Sequence, residues 1–148
     1  MTNKISDLIN KISRSEYATA TGRSMHAQMQ SVFYGVDGWV GDKNIINSIS
    51  QIPELKEIMG PLSQTEVPVA GIVNGKFISR RIDRLYVNND TKKVVVLDYK
   101  TDVDKNLFSE KYREQLTEYY ELLKQIYNRF DIQCKILWLN DFTLENVI

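Results

Sequence analysis

Four consecutive apolar residues, Val94-Val95-Val96-Leu97, occupy the middle of the chain and lead directly into Asp98-Tyr99-Lys100. Because side chains alternate between the two faces of a strand, a strand that is apolar at every position must be buried on both faces. The run therefore predicts a central strand with other elements packed above and below it. The polar residues that follow it should stand at the end of this strand.

The neighbouring segments predict the rest of a sheet. Runs rich in Val, Ile and Tyr at 66–73, 76–87 and 92–101 are separated by Asn74-Gly75 and by the polar residues 88–90, and Asn-Gly between such runs indicates a hairpin. Helical spacing returns at 107–130, and 135–139 is typical of a further strand. A three-strand meander followed by a helix and another strand predicts an α/β fold with a mixed sheet.

The first third of the chain has a different pattern. Apolar residues recur at helical spacing within 3–33, which predicts two helices, and again within 45–59, before Gly60-Pro61. Residues 36–41 are typical of a turn. We expect one domain over 1–148, mainly helical over 1–60, with an α/β core over 62–148.

Composition narrows the class of protein. The chain has 148 residues, with 19 Lys and Arg balanced by 19 Asp and Glu, and a single cysteine, Cys134. One cysteine excludes an internal disulfide or a four-cysteine metal site. No apolar run approaches the roughly 18 residues of a membrane span. These features favour a soluble, cytoplasmic protein whose nucleic-acid contacts depend on a local basic surface or on a metal.

The end of the buried strand is the candidate site. Asp98 and Lys100 are two residues apart and should share a face, and Asp83 lies in the preceding strand. Two carboxylates can hold a hard divalent cation that polarises phosphate oxygens and helps to deprotonate water, while an ammonium orients the attacking hydroxide and stabilises the transition state. The alternative is an ordinary salt bridge between Asp98 and Lys100 at a strand end.

Six further residues have two interpretations each. Gln115 and Tyr119 are four apart and share a helix face that can reach the same site; alternatively Gln115 is solvated and Tyr119 is a core aromatic. His26, the single histidine, is either a packed side chain or a metal ligand. Phe33, Tyr34 and Trp39 are either core residues or platforms for unpaired bases.

Several separated segments together resemble a known nuclease family. These are Gly22-Arg23-Ser24-Met25-His26, EVPVAGIVNGKFISRRIDRLYV from Glu66, VVVLDYKT from Val94, KYREQLTEYY from Lys111 and KILWLNDFTLENV from Lys135. In this order they resemble the RecB-type branch of the PD-(D/E)xK nuclease superfamily, and most of all the C-terminal nuclease domain of AddA-type helicase-nucleases. The resemblance implies a restriction-endonuclease-like sheet.

The resemblance also implies roles for individual residues. The implied metal ligands are His26, Asp83, Asp98 and the carbonyl of Tyr99, for Mg²⁺ or Mn²⁺, with Lys100 as the catalytic lysine and Gln115 and Tyr119 as supporting residues. Glu66 is a possible outer ligand that would support the metal ligands or reach the metal through a water molecule. Tyr112 opens the helix motif and is a candidate for DNA contact. Arg81 and Arg84 are further candidates, because they flank Asp83 in a basic region of the sequence. The family usually has glycine where this chain has Arg80, so a large side chain could crowd or recharge the DNA path.

The leading hypothesis is a Mg²⁺- or Mn²⁺-dependent deoxyribonuclease acting on single-stranded DNA ends in double-strand break repair and recombination. The chain contains no ATP-binding Gly-x-x-x-x-Gly-Lys-Ser/Thr loop, so a helicase motor is expected in a longer parent chain or on a partner subunit. Basic residues support a polyanion partner, with ten Lys and Arg against six Asp and Glu over 76–113. The alternative is a catalytically silent DNA-binding or scaffolding module. The iron–sulfur branch of the same superfamily needs four cysteines, and this chain has one.

Overall fold

A computed structural model describes residues 20–101 and 105–148, with side chains at 24–101 and 109–148. The helix expected nearest the amino terminus lies outside this range. Among the described residues the helices are α1 (Ala20–Gln30), α2 (Lys43–Ile49), α3 (Leu55–Ile58) and α4 (Lys105–Ile126). The strands are β1 (Phe33–Gly35), β2 (Gly38–Val40), β3 (Ser63–Val73), β4 (Lys76–Asn88), β5 (Lys93–Lys100), β6 (Asp131–Trp138) and β7 (Thr143–Asn146).

The main sheet is mixed, which confirms the α/β prediction. Its five strands are ordered β3-β4-β5-β6-β7, and every neighbouring pair is antiparallel except β5 and β6, which are parallel and joined through α4. The β3–β4 hairpin turns at Asn74 and Gly75, as predicted. Both have positive φ, 53° and 75°, as a tight two-residue hairpin turn requires.

Strand β5 is the buried centre of the sheet, as its composition predicts. All four residues of Val94-Val95-Val96-Leu97 are inaccessible to solvent. Val94 and Val96 pack into one apolar cluster with Leu116 and Leu123 of α4, whereas Val95 and Leu97 pack into a second cluster on the opposite face. Burial of such side chains contributes about 1.5–3 kcal/mol each, so this strand anchors both halves of the core.

Helix α4 covers one face of the sheet with the stripe expected from its spacing. Tyr112, Gln115, Tyr119 and Leu122 are buried, but Ile126, the last residue of the helix, is more than half exposed. The stripe therefore packs over three turns and leaves the sheet at the carboxyl end of the helix. None of the described helices is long and apolar enough to cross a membrane.

Residues 20–60 contain a hairpin that the helical spacing did not predict. Helix α1 ends at Gln30, and the segment predicted as a turn forms the turn and the second strand of the hairpin β1–β2, with Tyr34 opposite Trp39. The predicted helical stretch at 45–59 is split into α2 and α3. Pro53 lies in the break, where its missing N–H and fixed φ oppose a continuous helix.

Candidate active site

The site forms where β4 and β5 separate. Their pairing runs from Asn88 opposite Lys93 to Arg84 opposite Leu97, and continuation would place Asp83 opposite Asp98. Instead, Asp83 Oδ2 accepts a hydrogen bond from the backbone N–H of Tyr99 at 2.9 Å. A side-chain oxygen thus takes the place of the main-chain acceptor at this position.

The two carboxylates are close enough to affect each other. Burial raises the pKa of Asp83 well above its usual value, and the Asp98 carboxylate raises it further. The Tyr99 N–H and the Lys100 ammonium act in the opposite direction but do not cancel the increase. Two acids that are largely shielded from solvent and disfavour each other's charge are typical of functional sites and of cation sites in particular.

The backbone of β4 is irregular at the same point. Ile82 and Leu85 both pack into the cluster beneath α4, whereas strict alternation would place them on opposite faces. Glu66 of β3, which lies level with Asp83 in the register, has a φ of 53°, a conformation that non-glycine residues rarely adopt. Alternation alone therefore does not determine which way the side chains of Asp83 and Arg84 are directed.

Lys100 and Asp98 form an ion pair that differs from a surface salt bridge in its burial and in the further contacts of the ammonium. Lys100 Nζ is 3.0 Å from Asp98 Oδ2 and donates to Gln115 Oε1 of α4 at 3.0 Å. It also lies over the ring of Tyr112, 4.4 Å from the centroid. Lys100 and Asp98 are each at most 3% exposed, so the pair is held away from solvent, where charges interact strongly.

Helix α4 supplies the outer part of this arrangement. Gln115 Nε2 donates to the Tyr119 hydroxyl at 2.9 Å, which fixes the side-chain amide so that its carbonyl oxygen meets Lys100. Burial raises the pKa of Tyr119 well above its ordinary value, and the nearby Asp98 and Asp83 carboxylates add to the increase. The phenol therefore stays protonated at neutral pH, and Gln115 and Tyr119 are both part of the buried site.

His26 reaches the same point from α1. Its Nε2 atom is 3.2 Å from the carbonyl oxygen of Tyr99 and 3.8 Å from Asp83 Oδ2. The imidazole is buried and meets the Tyr99 ring edge to face. Three residues that are far apart in sequence, His26, Asp83 and Tyr99, are thus brought together.

Glu66 borders the site on β3. It accepts a hydrogen bond from Gln30 Nε2 at 2.7 Å, and Arg81 Nη1 lies 3.9 Å from its other oxygen. Its charge contributes to the raised pKa of Asp83. Gln30 was missed by the sequence reasoning, although its position four residues after His26 on one helix face was a usable signal.

The donor atoms suit a divalent cation, although no ready-made shell is present. Within the described residues, no group of three His, Cys, Asp or Glu side chains is arranged to hold a metal. However, the buried Asp98 Oδ2 accepts no hydrogen bond from the described residues, although the Lys100 Nζ atom lies 3.0 Å away. The Tyr99 carbonyl oxygen is 3.2 Å from His26 Nε2, and neighbouring ligands of an octahedral Mg²⁺ lie about 3 Å apart.

Two of the residues predicted to contact DNA are buried. Arg84 is 2% exposed, and its guanidinium is surrounded by protein acceptors. Tyr112 is 1% exposed and packs against Trp138 beneath Lys100. Neither side chain is accessible to a DNA backbone, because the sheet and helices cover them. The side chain of Arg81, in contrast, is two-thirds exposed beside Glu66.

Arg80, which replaces the glycine usual in the resembled family, does not project freely. Its Nη2 atom donates to both carboxylate oxygens of Glu118 on α4, at 3.1 and 3.4 Å, and the pair is largely buried. The side chain is therefore held against the helix, and part of its charge is offset by Glu118.

The aromatic residues of the amino-terminal hairpin are in contact with each other. Tyr34 and Trp39 pack edge to face with centroids 5.2 Å apart, and Phe33 is partly exposed.

No protein-family model matches the sequence, and no curated protein matches it either.

Proposed function

We propose that this chain is a metal-dependent deoxyribonuclease domain of the RecB-type PD-(D/E)xK kind, with a restriction-endonuclease-like core. The proposal depends on one observation above all, the buried cluster of two carboxylates, an imidazole and an ammonium at the point where β4 and β5 separate. A structural salt bridge does not require two mutually repelling acids beside it. A metal-dependent phosphodiester hydrolase uses such a pair, because the negative charge of the two carboxylates binds the cation.

The cation would be held by His26, Asp83, Asp98 and the carbonyl of Tyr99. Mixed oxygen and nitrogen donors suit Mg²⁺ or Mn²⁺, and the imidazole favours Mn²⁺ slightly. When bound, such an ion polarises phosphate oxygens and favours deprotonation of water. Its positive charge would also offset the repulsion from Asp98, which adds to the effect of burial in raising the pKa of Asp83.

Lys100 would contribute directly to the chemistry. Gln115 and Asp98 hold its ammonium at the end of β5, where it can orient the attacking water and stabilise negative charge that develops on the phosphate. The Gln115 amide is itself fixed by Tyr119. An ammonium that is held in place before the substrate arrives loses little freedom in the transition state.

The proposed substrate is a single-stranded DNA end. Arg81 is the exposed cation beside the site and would contact a phosphate. A helicase motor on a longer parent chain or on a partner subunit would supply the single strand, and the setting would be the cytoplasm. These last statements rest on the family resemblance of the sequence.

The test is cleavage of labelled single-stranded DNA with Mn²⁺, Mg²⁺ or EDTA, comparing Lys100→Met with Lys135→Met. Lys135 is a matched control, a buried lysine of the adjacent strand β6 that contacts Asn146 and Glu54 and lies outside the site. We expect metal-dependent cutting by the parent and by Lys135→Met, with a loss of about 100-fold or more for Lys100→Met. Binding of DNA without cutting by the parent protein supports the silent module instead.

A further inference from the structure

Arg84 is a buried cation that touches four groups around the site without entering it. Its Nε donates to the Tyr99 hydroxyl at 3.0 Å and its Nη1 to Ser63 Oγ at 3.1 Å. Its Nη2 donates to the carbonyl oxygens of Met29 at 3.1 Å and Val32 at 2.6 Å. One guanidinium thereby joins β4 to β5, β3 and the carboxyl end of α1.

The contact with α1 is favourable for two reasons. Met29 belongs to the last turn of the helix and Val32 follows its end, where carbonyl groups lack the regular partners of the helix interior. The Met29 carbonyl oxygen accepts from the Val32 N–H at 3.2 Å and takes Arg84 as a second donor. The carboxyl end of a helix also carries partial negative charge, which a cation stabilises. Arg84 thus holds this end of α1 against the sheet and satisfies its carbonyl oxygens.

The contact of Arg84 with Tyr99 fixes the residue whose carbonyl oxygen meets His26. Arg84 binds the phenol of Tyr99, Asp83 binds its backbone N–H, and its carbonyl oxygen meets His26 Nε2. His26 is on α1, one turn before Met29. Arg84 therefore holds both the helix that carries the imidazole and the residue whose carbonyl the imidazole meets.

We propose that Arg84 is a positioning residue that sets the imidazole of His26 against the carbonyl of Tyr99. A lysine could not replace it, because an ammonium is a point donor, whereas the planar guanidinium directs separate N–H groups to acceptors on different elements. The placement of His26 is independent of the proposed function. Only the expected effect of Arg84 on metal affinity rests on the proposed function.

The single histidine provides a direct readout, since the imidazole C–H signals in a proton–carbon NMR spectrum come from His26 alone. We compare the parent chain, Arg84→Lys and the control Lys135→Met, a buried cation outside the site. In the metal-free proteins, we expect the His26 signals of Arg84→Lys to shift toward those of a free imidazole while circular dichroism shows a folded chain. Lys135→Met should leave the signals in place even where it lowers the melting temperature.

Calorimetric titration with MnCl₂ is the second measurement. Arg84→Lys should weaken Mn²⁺ binding about tenfold, the usual effect of removing a residue that orients a ligand, and Lys135→Met should not. A folded Arg84→Lys with unshifted His26 signals overturns the proposal. If the parent does not bind Mn²⁺, the proposed function fails, and the NMR comparison still decides the role of Arg84.

A second variant covers the case in which Arg84→Lys does not fold. Tyr99→Phe removes only the phenol that Arg84 Nε contacts and leaves the Tyr99 carbonyl in the backbone. We expect a smaller shift of the His26 signals in the same direction. Unchanged signals in a folded Tyr99→Phe protein then overturn the proposal.

Discussion

Lys100 Nζ donates to Gln115 Oε1 across 3.0 Å, so a strand and the helix that follows it meet at one buried hydrogen bond. The contact ties the register of α4 to the end of β5. It also means that the position of the ammonium depends on side chains fifteen or more residues away. Residues such as Tyr119, which do not touch Lys100 in this chain of contacts, should therefore influence the proposed activity.

Tyr119→Phe should lower the rate of Mn²⁺-dependent cleavage about tenfold without changing DNA affinity. The substitution removes the oxygen that accepts from Gln115 Nε2, so the amide that holds Lys100 can rotate. Tyr120→Phe, at the neighbouring half-buried tyrosine, is the control. Equal single-turnover rates for the two variants contradict this role for Tyr119.

Asp83→Asn should make the metal-free protein more stable, by about 1 kcal/mol. The amide oxygen can still accept from the Tyr99 N–H, while the charge that Asp98 opposes is removed. Urea denaturation in EDTA measures the change, with Asp131→Asn on the exposed start of β6 as the control. The same variant should lose stabilisation by Mn²⁺. A destabilised Asp83→Asn in EDTA shows that the carboxylate is needed for folding instead.

His26→Ala should weaken Mn²⁺ binding at least tenfold, about 1.4 kcal/mol, and leave the fold intact. The imidazole is one of the donors beside Tyr99 and Asp83, and its removal leaves the apolar contacts of α1 in place. Calorimetry is the measurement, and Gln28→Ala on the exposed side of α1 is the control. A parent-like Mn²⁺ affinity in His26→Ala means that the imidazole is not a ligand.

Arg81→Ala should weaken binding of single-stranded DNA similarly for all sequences. The slope of the logarithm of the binding constant against the logarithm of the salt concentration should decrease by the amount expected for about one phosphate contact. The exposed guanidinium is only 3.9 Å from a Glu66 oxygen, a loose pairing that leaves it accessible to a phosphate. Fluorescence anisotropy over a salt series measures both effects. Lys124→Ala, an exposed cation at the far end of α4, should leave the slope unchanged.

Stability should fall above pH 9 in part because of Cys134. Burial raises the pKa of its thiol from 9.0 to about 12, so the unfolded chain loses this proton first as the pH rises. The free energy of unfolding is unaffected by this thiol below pH 9 and decreases progressively toward pH 12. The decrease amounts to about 2 kcal/mol at pH 10.5. Urea denaturation at pH 8 and pH 10.5 should show a smaller decrease for Cys134→Ala than for the parent. Identical decreases for the two proteins would contradict the assignment.

Local patterns predicted strands β3 to β6 and helix α4, because these elements follow short-range rules, but they did not predict β7. The apolar run at Val94–Leu97 required burial on both faces, Asn74-Gly75 required a tight turn, and helical spacing required the buried stripe on α4. The β1–β2 hairpin was missed because its strands have three residues each, too few for a period to be recognised.

The sequence by itself determined that Asp98 and Lys100 stand two residues apart at the end of a buried strand, since strand geometry leaves little choice. Only the tertiary structure decided that Arg84 turns inward to the end of α1 while Arg81 remains exposed. The two arginines are chemically identical and three residues apart, and alternation alone cannot assign them across an irregular strand. Their directions follow from the separation of β4 from β5 and from the acceptors that α1 brings to Arg84, both of which are long-range contacts.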